Sequence, residues 1–432
     1  MKKVLIFSYY WPPGSGPGVQ RWLKMSRFLP EFGIEPIIIT VKNGAYPSRD
    51  ESLLKEIPKG LRVIHTDTLE PFEIFNTLRG KKGNEISVGL SGMKNSSSFI
   101  QRFGIWLRAN FFIPDARKGW KHYALKAAIP LMSEVDAIIT TGPPHSTHFI
   151  GAELKKKYGK IWLADFRDPW SNIHYHELMP MWKSSLRKHK AQEDFILKTA
   201  DSVTVVSEGM KREFANRRDD IQVIYNGYDS MDFHTGITPD MNHFVMSYVG
   251  NLKPNQNVST LWNVISELIQ SNTEFAKRFK LRLIGKKDNA IIEELNALLP
   301  NENIELIDHL SHARAVEAMC KSNLLLFVIP QAKNNELILT GKLFEYLASG
   351  RPMFSIGPIA GDASKIIQES KMSPMIDYSD KEGMKRALLD HFTHSKGESQ
   401  TNENIKKFSR SFQTEALALA LKKMMNQSSL KQ

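Results

Sequence analysis

Residues 243–270 read HFVMSYVGNLKPNQNVSTLWNVISELIQ: a short apolar run, a glycine turn, and a segment of helical length. This order predicts a strand at 243–250 followed by a helix at 260–270. The alternation continues through predicted strands at 281–285, 304–307, 323–329 and 353–356, which are separated by predicted helices at 290–299, 313–321 and 341–349. Strands that alternate with helices form parallel sheets, so this half is predicted to be a Rossmann-like domain.

The first half of the chain carries the same pattern and then breaks. Runs such as EPIIIT and DAIITT are typical of strands whose two faces are both covered. The stretch 228–242 contains Gly, Asp, Thr and Pro, which suits an interdomain linker. A helix is predicted at 19–29, and strands are predicted at 3–8, 36–40, 62–65, 137–140, 161–165, 202–207 and 221–225.

These patterns together predict an α/β protein with two Rossmann-like parallel-sheet domains. The predicted domains are 1–235 and 236–404. Apolar residues at helical spacing over 405–425 predict a C-terminal helix that packs back across the domains, and the end of the segment 405–432 is expected to be frayed.

Composition is that of an ordinary globular protein, with 41% hydrophobic and 24% charged residues in 432. One cysteine, Cys320, excludes an internal disulfide and a cysteine-rich zinc site, and it fits a reducing compartment. The opening MKKVLIFSYY is interpreted as a first strand rather than a signal peptide, and no apolar stretch is long enough for a transmembrane helix. We therefore expect a cytoplasmic protein.

The charge is basic, since 58 Lys and Arg residues against 46 Asp and Glu residues give a formal net charge of +12. This is compatible with a merely basic surface, or with attraction to anionic lipid headgroups or phosphorylated substrates. Nucleic acid is not favoured, because the chain has neither a dense basic helix nor an aromatic-basic stacking motif.

An aromatic segment follows a polar stretch, 79–98, that is predicted to be a mobile loop. In SFIQRFGIWLRANFFIPDARKGW (98–120), aromatic residues alternate with Arg102 and Arg108. The segment is either a core helix with two snorkelling arginines or a surface that contacts a membrane or a lipid acceptor. In the second case the protein would lie peripherally on the inner face of an anionic membrane.

A glycine-rich loop, PPGSGPGVQR (12–21), connects the first strand to the first helix. Gly16 and Gly18 allow backbone amides to approach a ligand, and a helix N-terminus favours negative charge. The third glycine comes one place too early for a dinucleotide fingerprint, and the second strand does not end in an acidic residue, so NAD is not expected. The loop is either a structural turn or the lining of an acceptor or phosphate site.

The segment TGKLFEYLASGRP (340–352) places Lys342 and Glu345 on one face of a predicted helix. They can be a simple surface ion pair. However, the helix follows the carboxyl end of a strand, where α/β sheets bind ligands. There a glutamate can accept the two hydroxyls of a ribose, and a lysine near a helix N-terminus can meet a diphosphate.

Two further polar loops follow predicted strands. In TTGPPHSTH (140–148), His145 is predicted to be exposed at the sheet edge, where it can bind a sugar hydroxyl or relay a proton; alternatively it caps the next helix. In DFRDPW (165–170), Asp168 can orient an acceptor hydroxyl or act as its base; alternatively Asp165 and Asp168 form a structural turn held by Arg167.

Metal binding is not expected from the sequence. The segment HYHE (174–177) lacks the helical HExxH spacing of a metal site, and no Asp-x-Asp triplet occurs. The charge of a diphosphate would then be met by lysines and helix N-termini, with neither a metal nor a cofactor.

An ordered set of motifs resembles glycosyltransferase family 4, in particular bacterial members of surface-polysaccharide pathways. The set is YYWPPGSGPGVQR, PDARKGW, TGPPHSTH, DFRDPW, VTVVSEGM, VIYNGYD, YVGNLKPNQN and TGKLFEYLASGRP. The resemblance implies a GT-B fold, a donor-binding C-terminal half, an acceptor-binding N-terminal half and retention of anomeric configuration. Glu345 matches the family's ribose-binding glutamate, and Lys342 matches the lysine that precedes it by three in many relatives.

The chain departs from the family pattern at three positions. Leu337, with Glu336 beside it, stands where many relatives have a glutamate eight residues before Glu345. Asn251 and Asn257 stand where relatives often have an arginine and a lysine after the glycine. The nearest basic substitutes are Lys253, which we include among the donor-binding residues, and Lys286.

The sequence thus predicts a retaining glycosyltransferase that moves a sugar from a nucleotide-sugar to a glycan or lipid-linked acceptor. Glu345, Lys342 and Lys253 would bind the donor. Two alternatives remain: a sugar-nucleotide epimerase of the same fold, and a non-catalytic sugar-nucleotide-binding protein.

Overall fold

A computed structural model describes residues 1–46, 48–69, 99–172, 179–233, 237–308, 310–394 and 403–429. Three features considered from the sequence lie outside these residues: the loop at 79–98, the HYHE segment at 174–177 and the domain boundary at 235/236. The chain forms two compact units, one of Met1–Asn226 with Arg410–Gln432 and one of Gly227–Ser409. The structure divides the chain after residues 226 and 409, whereas the sequence analysis placed the boundaries after residues 235 and 404.

The first unit is built on a parallel sheet of seven strands in the order β3-β2-β1-β4-β5-β6-β7. The strands are β1 (Lys2–Phe7), β2 (Ile34–Val41), β3 (Arg62–Thr66), β4 (Ala137–Gly142), β5 (Ile161–Phe166), β6 (Ser202–Val205) and β7 (Gln222–Val223). In the centre, Ile6 lies beside Ile38 on one side and Ile139 on the other. The predicted parallel sheet is confirmed, and its central strands are buried and largely apolar, as is typical of strands covered on both faces.

The helices of the first unit are α1 (Pro17–Phe28), α2 (Phe99–Phe111), α3 (Trp120–Ala128), α4 (His148–Tyr158), α5 (Lys183–Thr199), α6 (Glu208–Phe214) and the C-terminal helix, which is numbered α14 below (Arg410–Ser429). Leu417 and Leu421 of this last helix pack with Trp22 and Leu23 of α1 in one buried cluster. The C-terminal helix therefore completes the core of the first unit, after the chain has built the second.

The second unit contains a parallel sheet of five strands in the order β10-β9-β8-β11-β12. The strands are β8 (Phe244–Val249), β9 (Phe279–Ile284), β10 (Ile304–Ile307), β11 (Leu324–Val328) and β12 (Met353–Ile356). The helices are α7 (Ser259–Ser271), α8 (Thr273–Arg278), α9 (Asn289–Leu298), α10 (His312–Cys320), α11 (Gly341–Ala348), α12 (Asp362–Glu369) and α13 (Lys381–His394). Trp262, Phe275 and Phe354 contribute to its buried core.

Each sheet has one point at which the order of its strands reverses. This point lies between β1 and β4 in the first unit and between β8 and β11 in the second. Loops leaving the carboxyl ends of such neighbouring strands diverge to opposite faces and leave a crevice, which is where open α/β sheets bind ligands. Two crevices, one per unit, are therefore the places to look for function.

In the part of the chain that the structure describes, we find no helix that combines the length and the apolar character needed to cross a membrane.

Asp165, at the end of β5, joins several elements of the first unit. Its carboxylate accepts hydrogen bonds from Arg21 and Trp22 of α1, from Thr141 of β4 and from Thr204 of β6, at 2.8–3.1 Å. Burial alone would raise the pKa of Asp165, but the Arg21 guanidinium and these bonds hold it below its usual range. The carboxylate therefore stays ionised in the core.

Replacing Asp165 should destabilise the first unit strongly. Asp165→Asn removes the negative charge opposite Arg21, both of which are almost fully buried, and leaves an uncompensated guanidinium. We expect a loss of about 3–5 kcal/mol in the free energy of unfolding, measured by urea denaturation. The control is Asp136→Asn, whose partly exposed carboxylate pairs with Lys2 and should contribute less than about 1 kcal/mol. Equal losses in the two variants would contradict the central role of Asp165.

Candidate functional site

The crevice of the second unit lies where α11 faces the end of β8. Tyr346, in the middle of α11, is buried, and its hydroxyl accepts a hydrogen bond of 2.9 Å from the backbone N–H of Val249. This bond ties α11 to the last residue of β8. It thereby fixes the position of the other side chains of the helix relative to the sheet edge.

Lys342, in the first turn of α11, lies at this edge. Its Nζ donates a hydrogen bond of 2.6 Å to the Tyr248 hydroxyl and lies 4.0 Å from the centroid of the Tyr248 ring. Gly250 has a φ of 119°, and a Cβ on it would lie 2.6 Å from Cε of Lys342. A glycine is therefore needed here both for the backbone conformation and for space beside the lysine.

The Lys342 ammonium titrates near neutral pH. Burial is the largest effect and lowers the pKa to about 7; the neighbouring Glu345 raises it and Lys253 lowers it. Glu345 and Lys253, the two other residues predicted to bind the donor, therefore lie within electrostatic reach of the Lys342 ammonium. Glu345 is partly buried one turn along α11, and Lys253 is exposed after β8. A dianionic ligand at this edge would favour the charged form of Lys342.

The two asparagines that replace basic residues of the family pattern have structural contacts. Asn257 accepts a hydrogen bond of 2.6 Å from Trp262 Nε1 and donates one of 2.6 Å to Glu294. The backbone carbonyl of Asn251 accepts a hydrogen bond from the Tyr248 hydroxyl, while its side chain is exposed. Neither asparagine carries a positive charge, so Lys342 supplies the charge nearest to Gly250 from the facing helix.

Leu337 lies in a short 3-10 turn, Asn335–Leu337, before α11. It is partly buried, whereas Glu336 beside it is exposed and packs its backbone against the position of Gly361. Lys286, the other basic substitute considered from the sequence, is also exposed. The carboxylate next to Leu337 is thus present on the surface of the turn, one residue before the family position.

In the first unit, the loop after β4 is held by Asp115 of the PDARKGW segment. Its carboxylate accepts hydrogen bonds of 2.8 Å from both the backbone N–H and the hydroxyl of Ser146. The exposure predicted for His145 is wrong: the side chain is 6% exposed, and its ring stacks on Trp170 at 4.9 Å between centroids. The loop folds inward because Trp170 from the DFRDPW segment covers the imidazole.

His148, three residues later, is also buried and serves the core. Its Nδ1 is 2.9 Å from the Thr140 hydroxyl, which also accepts a hydrogen bond from Trp162. Burial lowers the pKa of His148 to about 3, so the imidazole is neutral at physiological pH. Its role is to fix the start of α4 against the sheet.

Arg167 connects the three polar loops of the first unit, 12–21, 140–148 and 165–170. It donates a hydrogen bond to the Pro143 carbonyl, and its guanidinium lies against Gly18 so closely that a Cβ there would be 1.5 Å from Nη1. Asp168, the next residue, is exposed. Gly16 is the N-cap of α1 with a φ of 111°. The predicted acceptor residues Gly16, Gly18 and Asp168 therefore belong to one sheet edge.

The sequence analysis did not identify Tyr248 and Tyr346 in the second unit. It also did not identify the contact between the Arg167 guanidinium and Gly18 in the first unit. The rings of both tyrosines are buried, as is common for aromatic residues on a strand and on a helix. Only their hydroxyls reach the ligand edge, and no local pattern distinguishes that from ordinary core packing.

No family model matches the chain, and no curated protein matches it. Solved structures do match over nearly the full length. WaaG, a glycosyltransferase involved in lipopolysaccharide biosynthesis, superimposes with a TM-score of 0.54 at 11% identity, covering 98% of each chain. S. aureus TarM, in complex with fondaparinux, α-GlcNAc-glycerol and UDP, gives 0.57 at 12% identity, covering 100% of this chain and 98% of that one.

A third match, described as a UDP-N-acetylglucosamine 2-epimerase from Listeria monocytogenes, has a TM-score of 0.53 at 13% identity and covers 98% of this chain and 96% of that one. The predicted fold is therefore confirmed: two Rossmann-like parallel-sheet units of the GT-B class. Proteins with this fold include glycosyltransferases and an epimerase, and at these identities the likeness establishes the fold.

The two glycines of the first loop should respond differently to alanine. Gly16→Ala forces a side chain into positive φ with open space around it and should lower the free energy of unfolding by about 1–3 kcal/mol. Gly18→Ala meets the end of the Arg167 side chain, which can move, while the helix gains propensity. Its stability, measured by urea denaturation, should therefore be close to wild type. A larger loss in Gly18→Ala than in Gly16→Ala would contradict this.

Proposed function

We propose that the protein is a retaining glycosyltransferase of the family 4 type, which transfers a sugar from a nucleotide-sugar to a glycan or lipid-linked acceptor in bacterial surface-polysaccharide synthesis. The observation that carries this proposal is the pair Lys342 and Glu345 on one helix at the strand-reversal point of the second unit. The Lys342 side chain lies against the Gly250 backbone, so a diphosphate that approaches this turn meets the ammonium.

Two charged residues of α11 bind different parts of the donor. The Glu345 carboxylate accepts the ribose hydroxyls, while Lys342, with Lys253, binds the diphosphate. When the bond between the sugar and the phosphate oxygen breaks, negative charge grows on that oxygen, and the ammonium stabilises it. The bound UDP in the TarM structure supports a nucleotide site in this fold. In this proposal neither a metal ion nor a cofactor takes part.

The acceptor belongs to the first unit. Its hydroxyl forms the new bond to the anomeric carbon and loses its proton as the nucleoside diphosphate leaves. Asp168, which is exposed at the end of β5, orients this hydroxyl or accepts its proton. His145 is the second residue proposed to relay the proton of this hydroxyl. Its ring lies beneath that of Trp170. Gly16 leaves open space at the start of α1 for the acceptor, and Gly18 leaves room for the Arg167 guanidinium beside it.

An aromatic surface on the first unit supports peripheral contact with an anionic membrane on its cytoplasmic side. We define the aromatic surface as Phe103, Leu107, Phe111, Trp182 and Leu186, whose exposed fractions range from 36% to 52%. Trp106 packs at its centre, with ring centroids 5.2–5.6 Å from those of three neighbours. Exposed basic residues surround it: Arg102, Lys118, Lys183, Arg187, Lys188 and Lys190. Aromatic rings inside a basic rim suit the headgroup level of an anionic bilayer.

An epimerase is the second candidate, because the Listeria protein described as a UDP-N-acetylglucosamine 2-epimerase shares the fold. It would use the same nucleotide edge of the second unit and need no acceptor. A non-catalytic sugar-nucleotide-binding protein would bind a donor without converting it.

Screening a panel of nucleotide-sugars in EDTA tests the proposal, with thermal stabilisation and slow donor hydrolysis measured together. One donor and its nucleoside diphosphate should stabilise the protein. Glu345→Ala should weaken donor binding, and Lys342→Ala should chiefly slow turnover. Because binding a diphosphate charges Lys342, whose pKa is about 7, wild-type affinity for the nucleoside diphosphate should fall as the pH rises from 7 to 9. This pH dependence should disappear in Lys342→Ala.

Glu317→Ala is the matched control for Glu345→Ala, since it removes an exposed carboxylate on a different helix, α10. Full activity of both the Glu345 and Lys342 variants would exclude the donor assignment. Release of an epimerised sugar without an acceptor would favour the epimerase, and tight binding without turnover would favour a binding protein.

The membrane contact is tested with two exposed phenylalanines. Phe103 lies on the aromatic surface and is 52% exposed, whereas Phe412 lies on α14 and is 50% exposed. Phe103→Ser should weaken binding to phosphatidylglycerol vesicles at low salt by about tenfold, because a ring inserted at the interface is lost. Phe412→Ser should bind as wild type does. Equal binding by the two variants, or no binding by the wild type, would rule out this surface.

A further inference from the structure

The Lys342 ammonium is held by a neutral group. Its hydrogen-bond acceptor, at 2.6 Å, is the hydroxyl of Tyr248 rather than a carboxylate, and Nζ lies 4.0 Å from the centroid of the same ring. Burial has the largest effect on the pKa of Lys342 and lowers it, while Glu345 raises it and Lys253 lowers it. An ammonium that has lost water depends on the acceptors it keeps, so the phenol oxygen stabilises the charged lysine directly.

The Tyr248 hydroxyl is oriented to accept this hydrogen bond. Tyr248 is 1% exposed, and its hydroxyl donates its proton to the backbone carbonyl of Asn251 at 3.0 Å. Burial raises the pKa of the phenol and a hydrogen bond with the Gln256 side chain lowers it, so the phenol stays protonated. A hydroxyl has one proton and two lone pairs, and since the proton is used by Asn251, a lone pair is available to Lys342.

Gln256 connects the start of this turn to the neighbouring strand. It is 5% exposed, and its Nε2 donates a hydrogen bond of 3.2 Å to the carbonyl of Val328 at the end of β11. Its Oε1 accepts a hydrogen bond of 3.4 Å from the backbone N–H of Lys253. Because β8 and β11 are the two strands at the reversal point, Tyr248 and the turn after it are fixed relative to both.

The glycine turn that faces Lys342 is fixed from its other side. The Gly250 N–H donates a hydrogen bond of 2.8 Å to the carbonyl of Ile284, and a Cβ on Gly285 would lie 2.8 Å from the Gly250 carbonyl oxygen. Towards Lys342, a Cβ on Gly250 would lie 2.9 Å from Nζ. The ammonium therefore lies between a fixed hydroxyl and a fixed stretch of backbone.

We infer that Tyr248 is a positioning residue for donor binding, whose hydroxyl holds the Lys342 ammonium against the Gly250 turn, where it meets the diphosphate of the nucleotide. The inference rests on the proposed function for the identity of this ligand. The hydroxyl acts through the lysine and not on the diphosphate itself. Its removal should therefore spare the affinity of the charged lysine for the ligand and reduce the fraction of protein in which the lysine is charged.

Competitive acetylation with trace acetic anhydride measures the protonation of Lys342 without a ligand. Only the neutral amine reacts, so labelling of the Lys342 peptide, followed by mass spectrometry, should rise with pH around the pKa of about 7. Tyr248→Phe should lower this midpoint by about one pH unit, because the ammonium loses its acceptor while the ring remains. The matched control is Tyr378→Phe, which removes a hydroxyl that donates 2.7 Å to the Ile329 carbonyl, and its midpoint should be unchanged.

Calorimetry with UDP, the nucleotide in the TarM structure, tests the consequence for donor binding. A lower pKa leaves fewer molecules with a charged lysine at pH 8, so Tyr248→Phe should bind UDP about tenfold more weakly than wild type there. At about pH 5.5 the lysine is charged in both proteins, and their affinities should be equal. A merely structural role of the hydroxyl would weaken binding at both pH values.

An unchanged labelling midpoint in Tyr248→Phe, with the circular dichroism of folded protein, would overturn the inference, and so would an equal loss of UDP affinity at the two pH values. If Tyr248→Phe does not fold, Tyr248→Met gives the same test, since its flexible side chain fills the space without a hydroxyl. If the wild type binds neither UDP nor GDP although the midpoint shifts, the proposed donor site fails and the hold of Tyr248 on Lys342 stands.

Discussion

The buried carboxylate of Asp165 is the constraint on which the first unit depends. One side chain receives hydrogen bonds from α1, β4 and β6, and Arg21, its ionic partner, extends the connection to the backbone carbonyls of Ile224 and Tyr225. An ionised group in a sheet interior is stable only when every lone pair is used, so each of these elements must take its place for the others to do so. This network therefore fixes the positions of the polar loops at the carboxyl edge of the sheet.

In the second unit, tyrosine hydroxyls rather than a buried carboxylate connect a helix to the edge of the sheet. Tyr346 fixes α11 to the end of β8, and Tyr248 receives the Lys342 ammonium beside a glycine that leaves space for it. The lysine is thereby partly dehydrated, which brings its pKa close to neutrality. Where the family pattern has two basic residues after the glycine, this chain has two asparagines, and the positive charges nearby are Lys253 and, from the facing helix, Lys342.

The strands of the two parallel sheets in the described part of the chain were predictable, because most are short runs of apolar and β-branched residues, which local sequence is enough to identify. Four helices of the first unit, α3 to α6, were not predicted individually; α3 and α4, for example, mix small, polar and aromatic residues without a clear apolar stripe. The burial of His145 depends on Trp170, 25 positions later in the chain, and the contact between Arg167 and Gly18 spans still more. Such pairings follow from topology rather than from local spacing.

The return of the C-terminal helix to the first unit affects how the protein is made. Because Leu417 and Leu421 cover Trp22 and Leu23, the first unit has an unfilled apolar face until residues beyond 410 have left the ribosome. The second unit, which is continuous in sequence, can be completed earlier. Of the two units, the one whose synthesis begins first is therefore the last to complete its apolar core.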